Sequence, residues 1–156
     1  SSDVCSSDLM SSLNKKAKEV VEKYDVSACT DVTGFGLLGH GAEMATASQV
    51  CLNLDVRKIP YFEDAKEYAK MGLIPAGAYK NRGHSGRYVD VGDTPEYYVD
   101  LLYDPQTSGG LLISVAPEQA DAVMEDFEKK GLDTKVAMIG EVLEKDQEDN
   151  TFIRLV

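Results

Sequence analysis

The stretch Ala28 to His40 reads A-C-T-D-V-T-G-F-G-L-L-G-H and decides how the rest of the chain is read. Gly34, Gly36 and Gly39 spell G-x-G-x-x-G where a short extended segment (Val26 to Val32) meets a helix-compatible run from Gly36 to about Ala47. Taken alone, that triplet is a dinucleotide fingerprint, with backbone N–H groups and a helix N-terminus offered to a pyrophosphate. Asp55, after the next strand-like run, stands where such a fold keeps its ribose-binding acid. The residues before the first glycine argue otherwise. Thr30, Asp31, Val32 and Thr33 are mostly polar, whereas a dinucleotide strand is apolar up to its turn. A carboxylate at that turn also repels a pyrophosphate unless a cation lies between them.

Working outward, the pattern alternates between helical and strand periods. Leu13, Ala17, Val20, Val21 and Tyr24 recur at helical spacing, and Val50, Leu52, Leu54 and Val56 alternate over Val50 to Val56. A helix is predicted from Tyr61 to Met71, stopped by Gly72, and another with Thr94 as N-cap and Pro95 at its first position. Residues 72–93 read as the longest irregular region. Leu111 to Val115 is an apolar strand, and Pro117 to Gly131 carries the clearest helix, with Ala120, Val123, Met124 and Phe127 as its buried stripe. Val136 to Val142 and Phe152 to Val156 read as closing strands joined by an acidic turn at Asp146 to Asn150. The expected fold is α/β (α+β): one layered domain, residues 11–156, with a mixed sheet flanked by helices. Residues 1–10, with the near-duplicates S-S-D-V and S-S-D-L, read as an extraneous or disordered leader.

The chain has 156 residues, one domain's worth, and 16 Lys+Arg against 27 Asp+Glu give a net charge of −11. That balance disfavours a nucleic-acid partner, whose phosphates would be repelled. An anionic substrate must then arrive with a cation or meet locally arranged donors. No apolar run reaches the roughly 18–20 residues of a membrane span, and no secretory signal is recognised. Cys5, Cys29 and Cys51 form no C-x-x-C pair, which points to a reducing, cytoplasmic setting.

A second string, Asp104 to Leu112, reads D-P-Q-T-S-G-G-L-L. Gly109 and Gly110 let backbone approach closely, while Thr107 and Ser108 supply hydroxyls suited to capping a turn or to touching a ligand. The two strings together resemble the C-terminal half of the selenophosphate synthetase family, in the superfamily that also holds aminoimidazole ribonucleotide synthetase and thiamine-monophosphate kinase. The resemblance runs from about residue 11 to the end, including I-G-E-V at Ile139 to Val142.

What the resemblance implies is an ATP-dependent selenide, water dikinase, with selenophosphate, AMP and orthophosphate as products, in a homodimer whose ATP and Mg2+ sit between two halves. The reactive Cys or selenocysteine and most metal carboxylates belong to an N-terminal half that this chain lacks. No catalytic residue is therefore expected here, and the chain alone is expected to be inactive. Asp31 matches the family's metal-ligating aspartate, and a hard cation does take carboxylate oxygen. A turn or N-cap role is the alternative. Thr33, Gly34 and Gly36 are assigned to the turn beside the ATP phosphates. The loop A-G-A-Y-K-N (Ala76 to Asn81) departs from the family's G-G-T-x-R-N, with Lys80 where an Arg fork would sit. His40 reads as a packed or capping side chain, His84 has no zinc-spaced neighbours, and Tyr97-Tyr98 reads as the core and rim of a helix. A sister kinase such as thiamine-monophosphate kinase, or a non-catalytic dimerisation module, are the competing readings.

Overall fold

The computed structural model describes residues 14–132 and 134–156; the proposed leader lies outside the described residues. Among the described residues, six α-helices and the strands of two β-sheets follow one another in an alternating order. Helix α1 (Lys15–Val21) leads to β1 (Val26–Asp31), α2 (Gly36–Ser48) and β2 (Val50–Leu54). Then come α3 (Glu63–Lys70), α4 (Ala76–Ser85) and β3 (Val89–Asp90). The chain closes with α5 (Glu96–Leu102), β4 (Leu111–Val115), α6 (Ala120–Lys130), β5 (Gly140–Glu144) and β6 (Ile153–Leu155).

The expected mixed sheet is the four-stranded one, in the order β3-β6-β2-β5. β6 runs parallel to both β3 and β2, while β5 is antiparallel to β2. The two closing strands therefore flank β2 on opposite sides and do not pair with each other. The last of them begins at Ile153, and the penultimate one only at Gly140. β1 and β4 form a separate antiparallel ribbon, with Thr30 opposite Leu112 and Asp31 opposite Leu111. This division disposes of the dinucleotide reading. That fold needs β1 and β2 side by side and parallel, with the glycine turn between them, and here they lie in different sheets.

α2 joins the two sheets, touching β1, β2 and β6. Its small residues make this possible: a Cβ on Gly41 would lie 3.2 Å from Ile153 and 3.7 Å from Leu52. Leu38, Ala42, Ala45, Val99, Tyr103 and Ile153 form the centre of the main core. A smaller cluster of Val20, Val123 and Phe127 packs α1 and α6 against Ile113 and Val115 of the ribbon. α6 ends as its sequence requires, with Gly131 in the left-handed region at φ 62°.

Three local expectations are corrected. Residues 72–93 are mostly ordered as helix and strand. Within α4, Ala78, Asn81 and Ser85 are buried at helical spacing, and a Cβ on Gly77 would sit 2.6 Å from the Pro105 ring, so the glycine is there for packing. Thr94 does not cap α5. Pro95 holds the cap position in an extended conformation (φ −59°, ψ 140°), and the Thr94 N–H turns back to Val91 O. The Val50 to Val56 strand stops at Leu54, and Cys51, which the alternation puts on the side opposite Leu52, is buried as well.

Candidate functional site

The two glycine-containing strings, some 75 residues apart, fold against each other. The ladder of the β1/β4 ribbon extends by one bond past Asp31, from Val32 N–H to Gly110 O at 2.9 Å. Gln106 N–H donates to Thr33 O at 3.0 Å, and Gly36 N–H donates to the same carbonyl at 3.0 Å. Two glycines are required by this approach. Gly36 has φ +71°, and a Cβ there would lie 2.7 Å from the Tyr103 carbonyl carbon; a Cβ on Gly109 would lie 2.0 Å from Val32 O. Ser108 adopts φ 51°, which bends the second string into place without glycine.

Asn81 of α4 completes the join. Its Nδ2 donates to Gly34 O at 2.8 Å and to Tyr103 O at 3.0 Å, so one amide ties the glycine turn to the end of α5. The residue is 9% exposed. The sequence puts it in the irregular region 72–93; the spacing of Ala78, Asn81 and Ser85 is the signal that would place it on a buried helical face.

Asp31 closes β1 and is exposed. Its backbone carbonyl accepts from Thr30 Oγ1 at 3.4 Å, and its carboxylate has no hydrogen-bond or ion-pair partner among the described residues. It is neither an N-cap nor turned into the core. Cys29, two residues earlier in β1, has its thiol pKa pushed up, first by desolvation and then by the Asp31 charge. A raised thiol pKa makes a poor nucleophile at neutral pH.

Thr33 and His40 face each other across the turn. His40 Nε2 lies 2.9 Å from Thr33 Oγ1 and accepts from Phe35 N–H at 3.4 Å, while its Nδ1 lies 3.1 Å from Glu43 Oε2. His40 is thus a capping and packing residue of the turn. Gly34 is exposed and a Cβ there would meet nothing within 4 Å, whereas Gly36 is buried.

Other candidates stand apart. Lys80 is exposed, and Arg82 is spent on Glu96 and on Asp100, which it reaches at 3.1 Å. His84 stacks on Phe35 with ring centroids 6.4 Å apart. Asp55 is gripped by Arg57 through two bonds of 2.9 and 3.0 Å, which lower its pKa to about 2; it has no free oxygen pair for a ribose. Tyr98 is core and Tyr97 rim, with the Tyr98 hydroxyl donating to Val56 O at 2.7 Å. Asp104 Oδ1 is buried without a partner, and burial pushes that carboxyl's pKa up.

Among the described residues no group of three or more His, Cys, Asp and Glu side chains could hold a metal ion. The site is therefore one open carboxylate on a rigid glycine turn. Such a carboxylate fits a share in a cation whose other ligands come from elsewhere, because Mg2+ usually takes one or two protein carboxylates along with phosphates and water. Fold and site together define a helix-covered mixed-sheet domain that carries an open carboxylate on a glycine turn.

Residues 7–151 match the family model described as AIR synthase related protein, C-terminal domain, and the chain belongs to that family. It is 45% identical over 147 residues to the selenide, water dikinase of Caldanaerobacter subterraneus, covering 94% of this chain and 42% of that protein. It is 48% identical over 139 residues to the selenide, water dikinase of Clostridioides difficile, covering 88% and 40%. The protein of the same name from Treponema denticola is 44% identical over 142 residues, covering 89% and 40%. The chain thus spans about two fifths of the length of these relatives. No helix among the described residues is long and apolar enough to cross a membrane.

Proposed function

We propose that this chain is the C-terminal part of a cytoplasmic, homodimeric selenide, water dikinase that makes selenophosphate from selenide and ATP, releasing AMP and orthophosphate. The observation that carries the reading is Asp31: an exposed carboxylate, without a partner among the described residues, beside a turn whose backbone is held by Gly36, Gln106 and Asn81. The names of relatives at 44–48% identity support the reaction class.

In this reading Asp31 would hold Mg2+ through one carboxylate oxygen, and an N-terminal half would supply the other protein ligands. A cation held there would supply charge neutralisation to the phosphates, the chemistry on which in-line transfer depends more than on covalent steps. The chain's own contribution is orientation. Asn81, Gln106 and Gly36 hold the turn so that Asp31 needs no rearrangement to meet its ligand. With a single ligand group, and with the thiols among the described residues pushed up in pKa, the isolated chain has no dikinase activity.

The test is AMP release from ATP in the presence of selenide. The 156-residue chain alone should show none, and a protein of the relatives' full length carrying this sequence should turn over. Asp31→Asn in that longer protein should weaken Mg2+-dependent ATP use while the fold stays intact. Turnover by the chain alone, or unchanged Mg2+ dependence in Asp31→Asn, would refute the proposal.

A further inference from the structure

Four arginines stand in this chain against 27 acidic residues. Three of the four are spent on carboxylates: Arg57 holds Asp55, Arg82 bridges Glu96 and Asp100, and Arg154 reaches Asp149. Arg87 is the exception. It is exposed, and its guanidinium has no carboxylate or hydrogen-bond partner among the described residues. In a chain with this excess of acid, an unused fork is the feature to explain.

Arg87 is also held in place. It sits in a single 3-10 turn, Gly86–Tyr88. Its carbonyl accepts from Asn150 Nδ2 at 3.4 Å, and the carbonyl of Tyr88 accepts from Phe152 N–H at 2.8 Å. Its Cζ lies 4.7 Å from the centroid of the Tyr88 ring, which meets the buried Phe152 edge-on at 5.6 Å. A guanidinium over a ring engages it through charge and keeps its N–H donors for another partner. Less freedom then remains to be lost on binding.

Arg87 lines a cleft of about 150 Å3 between α2 and the end of α4. The small, buried Gly39 and Ala42 leave room on the α2 wall. Phe35, 47% exposed, adds an aromatic face stacked with His84. Asn81 and Ser85 also line the space, but their hydrogen bonds are already made within the fold. Glu43 faces the same cleft, and its Oε1 has no partner among the described residues.

A bare anion would gain from Arg87 and be repelled by Glu43. A molecule carrying an oxyanion, a planar ring and an amino group would use every open element of the lining. We infer that this cleft, which Asp31 does not line, is a ligand site for a small aromatic amine bearing a phosphate or a carboxylate. Arg87 takes the oxyanion through two N–H groups, the ring lies against Phe35, and Glu43, which can only accept, takes the amino group. The inference depends neither on the dikinase reading nor on any cation.

The test is titration of the 156-residue chain followed by amide 1H–15N NMR, with EDTA present to exclude metal. The probes are AMP and para-aminobenzoate, which carry the phosphate and the carboxylate in turn; adenosine and inorganic phosphate each lack a required group. AMP, para-aminobenzoate or both should give saturable shifts at residues 35, 43 and 84–88, and the one that does identifies the oxyanion. Adenosine and inorganic phosphate should bind more weakly. Arg87→Gln should weaken binding about ten-fold or more, the loss expected of a charged hydrogen-bond pair. Arg87→Lys keeps the charge without the fork and should weaken it as well. Glu43→Leu should weaken the aromatic amine and tighten inorganic phosphate. Dispersed spectra show that each variant is folded. No saturable shift with either probe, shifts that miss the cleft, or affinity unchanged in Arg87→Gln overturns the inference. Inorganic phosphate or adenosine binding as tightly as AMP, or tighter binding of the amine by Glu43→Leu, overturns the ligand class.

Discussion

Asn81 gives the sharpest test of how the glycine turn is held. Replacement by Asp keeps the shape and exchanges a donor for an acceptor, so the carboxylate faces the carbonyl oxygens of Gly34 and Tyr103 at the 2.8 and 3.0 Å now spanned by Nδ2. Two costs combine. Both carbonyls lose a donor, of which Tyr103 O is the one without easy water access, since its residue is 1% exposed and Gly34 is open to solvent. An unpaired charge is also placed at a position 9% exposed. An uncompensated buried charge costs about 3–5 kcal/mol, whereas losing the donor alone costs about 1–3 kcal/mol. Asn81→Asp should therefore lose about 3–5 kcal/mol at pH 7, and the near-isosteric Asn81→Leu about 1–3 kcal/mol.

The pH dependence separates the two costs. In Asn81→Asp the folded pKa is raised above the unfolded value, because the protonated carboxyl can donate to one carbonyl and the ionised one cannot. Stability relative to wild type is therefore greatest below the unfolded pKa of about 3.9 and is lost as pH rises through the folded one. Urea unfolding followed by circular dichroism at pH 4 and pH 7 reads both, with the Asn81→Leu difference constant between them. If Asn81→Asp stays within about 0.5 kcal/mol of wild type at pH 7, the range of neutral surface changes, the amide bridge does not hold the turn and the account of the site's rigidity fails.

Further outcomes can be checked with the same equipment. Gly36→Ala combines a left-handed φ with a 2.7 Å clash against Tyr103 backbone, so it should cost more than about 1–3 kcal/mol of strain alone, while Gly34→Ala, with open space around it, should be close to neutral in thermal melts. Ile153→Ala empties the fully buried position where α2 crosses β6 and should cost about 2–5 kcal/mol by denaturant titration. Asp55 should titrate at about 2 in carboxyl 13C NMR. Its folded pKa is depressed, so the stability it adds is present above the unfolded value and lost as pH falls through about 2; a midpoint near 3.8 would refute the bidentate Arg57 grip. Asp104 has the opposite sign. Its raised pKa makes the ionised form a burden at neutral pH, so Asp104→Asn should raise the melting temperature at pH 7 and lose that advantage near pH 3.

What could be read from residues, and what could not, divides along one physical line. α6 was legible because every signal is local: Pro117 near its start, a stripe ending at Phe127, two lysines and then a left-handed Gly131. The helix at Ala76–Ser85 was not, because its glycines and polar residues lower local helix preference. Its stability comes from tertiary contacts: Gly77 under Pro105, and Asn81 bridging two other segments. The pairing of β1 with β4 was hidden for a related reason. Its register joins residues about 80 positions apart, and nothing in T-D-V-T names L-L-I-S-V as partner. The exposed state of Asp31 followed from that pairing, since the strand ends there and only Val32 turns inward. The least legible feature is the set of contacts around Thr33. Its hydroxyl lies 2.9 Å from the ring of a histidine seven residues on, whose other nitrogen lies 3.1 Å from a glutamate, contacts made only when α2 is wound. Motifs name which residues stand at a site; the neighbours that hold those residues come from the fold around them.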